Sequence, residues 1–114
     1  MTALGAPVTP AVDADQVRRT YTAVLGAPGT IGDEQRAHLA GMLRGQLQLL
    51  VPVIEARLPG MAGRFNRSAA QHVLAEALAA LATPIRGALP DESVFDLAVL
   101  VRSLLALYEY TAAA

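Results

Sequence analysis

The chain contains no cysteine. That single absence removes disulfides, thiolate nucleophiles, iron–sulfur clusters and zinc–thiolate sites. It fits a reducing compartment, so the expected location is cytoplasmic. Lysine is missing too, and all nine basic residues are arginine. A Schiff base on a side-chain amine is therefore excluded. Aromatic residues make up 4% of the chain and tryptophan is absent, so the core must be aliphatic. Neither charge sign dominates: the net charge is −1 and the arginines are scattered. Proteins that bind nucleic acid carry a basic stripe, because phosphate contacts dominate their affinity; nucleic acid is not an expected partner.

Long apolar runs are lacking as well. The most apolar stretch, residues 94–108, contains Asp96 and Arg102 and is shorter than the ~20 residues a membrane span needs. Residues 1–15 show neither the basic start nor the apolar centre of a secretory leader. No membrane partner is expected.

What remains is a chain of 114 residues, 54% hydrophobic, with a mean hydropathy of +0.39. Much of this is alanine, a strong helix former, and the length suits one domain. Residues 1–12, with Gly5, Pro7 and Pro10, show no period and read as a flexible arm; residues 13–114 read as the domain. A first helix over 13–25 is capped by Asp13 and presents Val17, Tyr21, Val24 and Leu25 on one face. Residues 26–32 hold three glycines, but no Gly-Lys-Ser/Thr follows and no strand precedes. Asp33 and Glu34 would repel an anion there, so this is a connector rather than a phosphate cradle.

A second helix over 33–58 carries the stripe Leu39, Leu43, Leu47, Leu50 and Ile54. Pro52 lies inside it, which predicts a kink near 48–52, and Pro59-Gly60 ends it. A third helix spans about 68–82, or starts some residues earlier, capped by Asn66 or Ser68, with Val73, Leu74, Ala77, Leu78 and Leu81 on its face. After a connector at 84–90, a fourth spans 91–111 with Asp91 as its cap. Its stripe of Val94, Leu97, Val101, Leu104 and Tyr108 has bundle-core spacing. The fold class is all-α, a small four-helix antiparallel bundle with a Pro-kinked second helix. The apolar arcs of the second and fourth helices are wider than one core needs, because Leu49, Val51, Phe95, Val99 and Leu107 fall outside the stripes. Either these helices sit centrally or a second apolar surface exists, as a homodimer interface or the wall of a ligand pocket.

Motifs for known chemistry are sparse. Glu34 with His38 and His72 with Glu76 share helix faces, but those faces lie opposite the apolar stripes. A di-iron bundle also needs Glu-x-x-His pairs and further inward glutamates, so no metal is expected. The serines, Ser68, Ser93 and Ser103, sit in no nucleophile elbow. More informative are polar residues that the period turns inward: Gln46 among Leu39, Leu43, Leu50 and Val53, Tyr21 in the first stripe, and Tyr108 in the last. Buried amides and phenols need partners. They either bond within the core or converge on a cavity. Arg44, Arg57, Arg102 and Glu109 border these faces, and arginine suits an enolate, carboxylate or phosphate.

The run Leu43-Arg44-Gly45-Gln46-Leu47-Gln48-Leu49-Leu50-Val51-Pro52-Val53-Ile54-Glu55, continued by Ala56-Arg57-Leu58-Pro59, is unusual for a proline inside a leucine-rich helix. With Val101-Arg102-Ser103-Leu104-Leu105-Ala106-Leu107-Tyr108-Glu109 it resembles a family of small actinobacterial proteins of unknown function, some labelled natural-product biosynthesis proteins. The resemblance covers residues 35–111. It implies a small helical protein in a secondary-metabolite pathway, similar to cofactor-free polyketide macrocyclases of the alchivemycin type. Gln46 stands where histidine is common in that pattern, Val53 where an acid is common, and Leu107 where a histidine often precedes the Tyr-Glu pair. The milder set suits an apolar ligand.

The resulting expectation is a cofactor-free cyclase holding a polyketide-like substrate in an apolar cleft between the second and fourth helices. Tyr108 would relay a proton, Gln46 would orient a carbonyl, and Arg44 would steady an enolate. Tyr21, Leu43, Leu50, Arg102 and Glu109 would contact the substrate. The competing expectation is a non-catalytic, dimeric accessory protein.

Overall fold

The computed structural model describes residues 12–26, 31–83 and 91–112. The expected arm, apart from Val12, and most of the connectors around 27–30 and 84–90 lie outside the described residues. Among these residues four α-helices follow one another: α1 (Ala14–Gly26), α2 (Asp33–Arg57), α3 (Arg64–Ala82) and α4 (Asp91–Ala112), with a 3₁₀ turn, Leu58–Gly60, after α2. The protein is an all-α bundle.

Each helix has a local cause. The Asp13 carboxylate accepts the backbone N–H of Gln16 at 3.1 Å, satisfying one of the free donors of the first turn of α1. At α2 the N-cap is Gly32, which offers no side chain. Asp33 instead binds Arg36 at 2.7 Å, and Arg36 Nη2 donates to the carbonyl of Ile31 at 3.0 Å, closing the entry to the helix. The helix runs on through Pro52 as one element. Gln48, whose carbonyl loses its usual donor there, is exposed, so water can serve it. The cap expected from Asp91 at α4 lies outside the described side chains.

The start of α3 falls at the earlier side of what the sequence allows. The helix begins at Arg64, one turn before Ser68, behind Gly63 with φ +87°. Only glycine adopts that conformation without strain. It redirects the chain so that Arg67 N–H closes on Gly63 O at 3.2 Å. Residues 64–67, Arg-Phe-Asn-Arg, show no apolar period and are helical because of this turn. Asn66 is therefore not a cap; inside the helix, its side-chain amide reaches Ala62 O at 3.4 Å and the Tyr110 hydroxyl at 3.3 Å.

Cross-helix contacts give the directions. Arg18 on α1 forks onto both carboxylate oxygens of Glu109 near the end of α4, at 2.9 Å each from Nη1. Arg44 on α2 reaches the end of α3. Arg57, at the end of α2, reaches Tyr108 and Thr111 at the end of α4. Sequential neighbours are thus antiparallel, while α2 and α4 run in the same direction. In a square bundle the second and fourth helices would be diagonal. Here they are the most extensively packed pair, and α1 and α3 flank them without meeting. The molecule is correspondingly flat, 44 × 41 × 25 Å.

This layout resolves the wide apolar arcs. α2 and α4 are central helices with neighbours on several sides. Val51 and Leu105 are buried beside the fully buried Leu43, Leu47, Leu50, Ile54 and Leu104. Val99 is partly exposed, and Leu107 lies partly buried against the core. Leu49 and Phe95, each 40% exposed, remain at the surface.

Candidate functional site

α1 leans mainly on α4 and far less on α2. Along its weaker seam with α2 a cleft of about 90 Å³ opens, lined by Val12, Asp13, Gln16 and Val17 from the start of α1 and by Gln46, Leu49 and Leu50 from the middle of α2. The wall is mostly apolar, with Asp13, Gln16 and Gln46 as its polar members.

Gln46 is the unusual group. It is 9% exposed, on the same helical face as the core leucines. Its Nε2 donates to Thr20 Oγ1 at 3.1 Å. Thr20, 4% exposed, in turn donates its hydroxyl proton to the carbonyl of Gln16 at 2.8 Å, one turn back on α1. With its hydroxyl proton on Gln16 O, Thr20 accepts from Gln46, and Gln46 presents its NH₂ to it. The amide oxygen then faces elsewhere. Gln46 Oε1 is buried and has no hydrogen-bond partner. An orphaned buried acceptor costs roughly 1–3 kcal/mol relative to a satisfied one, so its presence calls for an explanation.

Of the residues picked out in the sequence, the cleft brings together Gln46 and Leu50. Leu43 is fully buried in the core, and Tyr21 packs on the core, partly buried. Arg44 caps α3, donating from Nη1 to Ala80 O at 2.9 Å and Thr83 O at 3.1 Å and from Nη2 to Leu81 O at 3.0 Å. Tyr108 is partly buried at the far end of α4, with the Arg57 guanidinium 4.7 Å over its ring. The same arginine holds Tyr108 O and Thr111 Oγ1, each at 2.9 Å. Glu109 is occupied by Arg18, and Arg102 is exposed. Tyr108 and Arg44 do not line the cleft with Gln46.

Thr20, Gln16 and Val12 carry no motif that marks them for this site, and Asp13 reads from the sequence as a cap. Thr20 is three residues after Val17 and four before Val24, so its place on the buried face was available from the period; its bond to Gln46, across the chain, was not. His72 and Glu76 are paired at 3.0 Å on an exposed face, as their spacing implies. Among the described residues no cluster of three or more His, Asp or Glu side chains could hold a metal ion, and no helix is long and apolar enough to cross a membrane.

Residues 15–113 match a family of unknown function, DUF6415. The chain belongs to that family. The matched stretch takes in α2, α3 and α4 whole and nearly all of α1, including Gln16, Thr20 and Gln46; Val12 and Asp13 lie outside it. No curated protein matches the chain, and no solved structure does.

Proposed function

We propose that this protein binds a small, largely apolar molecule in the α1–α2 cleft and that it serves natural-product biosynthesis, as a cofactor-free cyclase of polyketide-like chains. The observation that carries the binding reading is Gln46 Oε1, a buried acceptor without a partner at the wall of an apolar cleft. A leucine or methionine of similar volume would fill the same space without that penalty. Where a protein departs from polar satisfaction in its core, function is the usual reason. The likeness of residues 43–59 and 101–109 to natural-product biosynthesis proteins supports the biosynthetic setting.

The cleft, at about 90 Å³, is smaller than the ~300 Å³ at which ligand sites begin. It therefore takes one end of a molecule, and the remainder lies across the exposed Leu49. Holding one end of a flexible chain on an apolar surface favours ring closure, because it removes translational and rotational freedom before reaction. Gln46 orients the held end. Asp13 is the carboxylate at the cleft wall and is placed to accept a proton from a group bound there. Tyr108, assigned to proton relay in the sequence reading, has no support from this cleft.

The substitution Gln46→Leu tests the carrying observation. It removes the orphaned acceptor and leaves Thr20 bonded to Gln16, so the protein should be as stable as the parent or up to about 1 kcal/mol more stable in thermal or urea denaturation. A loss of roughly 2 kcal/mol or more would show that the amide is structural and sink the reading.

The second reading is a dimeric accessory protein. Leu78 at 47% exposure, Phe95 at 40% and Tyr110 at 64% leave apolar side chains at the surface away from the cleft. On this reading light scattering gives twice the chain mass at micromolar concentration, and a strictly monomeric species removes it.

A further inference from the structure

We infer that the cleft selects its ligand by hydrogen-bond sense and charge: it takes an apolar group ending in a hydroxyl, amide N–H or ammonium, and rejects ethers and carboxylates. This rests on the proposed binding role of the cleft and adds the chemical class of the bound end.

The polarity follows from the donor chain. Thr20 gives its proton to Gln16 O, and Gln46 gives an N–H to Thr20. An amide group that turned over to offer N–H to a ligand would put Oε1 against Thr20 Oγ1, and Thr20 would have to withdraw its proton from Gln16 O to fill that contact. The Thr20–Gln16 bond thereby favours the present sense of the Gln46 amide, in which what is left to offer is the acceptor Oε1. A hydroxyl, amide or ammonium completes it; an ether or carboxylate brings a second acceptor. Oε1 has almost no exposed surface, so the ligand's polar end must part the wall to reach it. Leu49, 40% exposed, is the most exposed apolar residue of the wall.

Charge acts in the same direction. The acidic side chain of the wall is Asp13, and its carboxylate already accepts the N–H of Gln16. Among the described residues no arginine lines the cleft. Arg18, nearby in sequence, is forked onto Glu109. A carboxylate entering the cleft would meet a like charge and an acceptor together, whereas an ammonium would meet two acceptors.

Four probes with similar apolar bodies separate the terms: 1-butanol, butylammonium, methyl propyl ether and butyrate. Each is titrated into the ¹⁵N-labelled protein while the Gln46 side-chain NH₂ and the Thr20 and Val17 amides are followed. The expected result is saturable shifts for butanol and butylammonium, with the ether and butyrate at least about tenfold weaker, the factor that ~1.4 kcal/mol supplies. Gln46→Leu should bring butanol and the ether together. Asp13→Asn, which retains a good N-cap, should reduce the preference for butylammonium over butyrate. Equal binding of butanol and ether by the parent protein would overturn the selectivity while leaving a binding cleft. No saturable shift with any probe would overturn the cleft reading as well.

Discussion

Leu50→Ala is expected to lower the unfolding free energy by about 3 kcal/mol, within the range of buried leucine truncations, and to make stability depend on small apolar molecules. Leu50 is fully buried and also forms part of the cleft wall. Truncation removes its packing and leaves a void. For most core leucines that void is sealed; here it joins the existing cleft of about 90 Å³. The enlarged space approaches the ~150 Å³ that accommodates benzene in an apolar protein cavity. Benzene near saturation should therefore recover part of the lost stability by mass action. The midpoint should fall by roughly 12 °C, taking about 4 °C per kcal/mol for a domain of this size, and rise again with benzene. Leu43→Ala is the control, since Leu43 is equally buried but does not line the cleft. It should lose comparable stability and respond less to benzene. Identical benzene responses in the two variants would mean that Leu50 does not wall an accessible site.

The helices themselves were legible because their stripes are long and regular. Leu39, Leu43, Leu47, Leu50 and Ile54 recur at helical spacing, and all five are buried. The start of α3 was legible only as lying at Ser68 or some residues before it, because a positive φ at Gly63 leaves no trace in a period, and residues 64–67 offer no apolar pattern of their own. The inward turn of Gln46 could be read from its neighbours on α2, while its partner could not. Periodicity assigns a residue to a face, but not the residue opposite it on another helix. Tyr108 shows the same limit. Its place in the stripe of α4 is consistent with its partial burial, yet what covers its ring is Arg57, far away in sequence. The wide arcs of α2 and α4 left two readings open. The central, same-direction pairing of these helices accounts for Val51 and for the partial burial of Val99 and Leu107, and leaves Leu49 and Phe95 for a surface role.

Arg44 is where sequence and structure diverge most, and it carries the other large prediction. A lone arginine bordering a core face invites an anion-binding role. Its guanidinium is instead engaged by three carbonyls at the end of α3, those of Ala80, Leu81 and Thr83. The last four carbonyls of a helix have no intrahelical donor, and the negative end of the helix dipole lies there. The Thr83 N–H closes on Ala80 O at 3.3 Å, but α3 has no basic residue in its own last turn, so Arg44 supplies from α2 the charge that α3 lacks and further donors to its end. It also ties the two helices together. Arg44→Ala should cost roughly 2 kcal/mol, from the loss of charge-assisted bonds to partly buried carbonyls, or about 8 °C in melting temperature. Arg44→Lys keeps the charge but cannot fork across three acceptors, and should recover about half. Hydrogen exchange discriminates a cap from a general packing role: amides in the last turns of α3 should exchange faster in Arg44→Ala, while those around Gln46 keep their protection relative to the lower global stability. The butanol-induced shifts at the cleft should also persist. Unchanged stability of Arg44→Ala would show that the fork onto α3 contributes nothing in solution, and would return the guanidinium to the anion-binding role that its position on α2 first suggests.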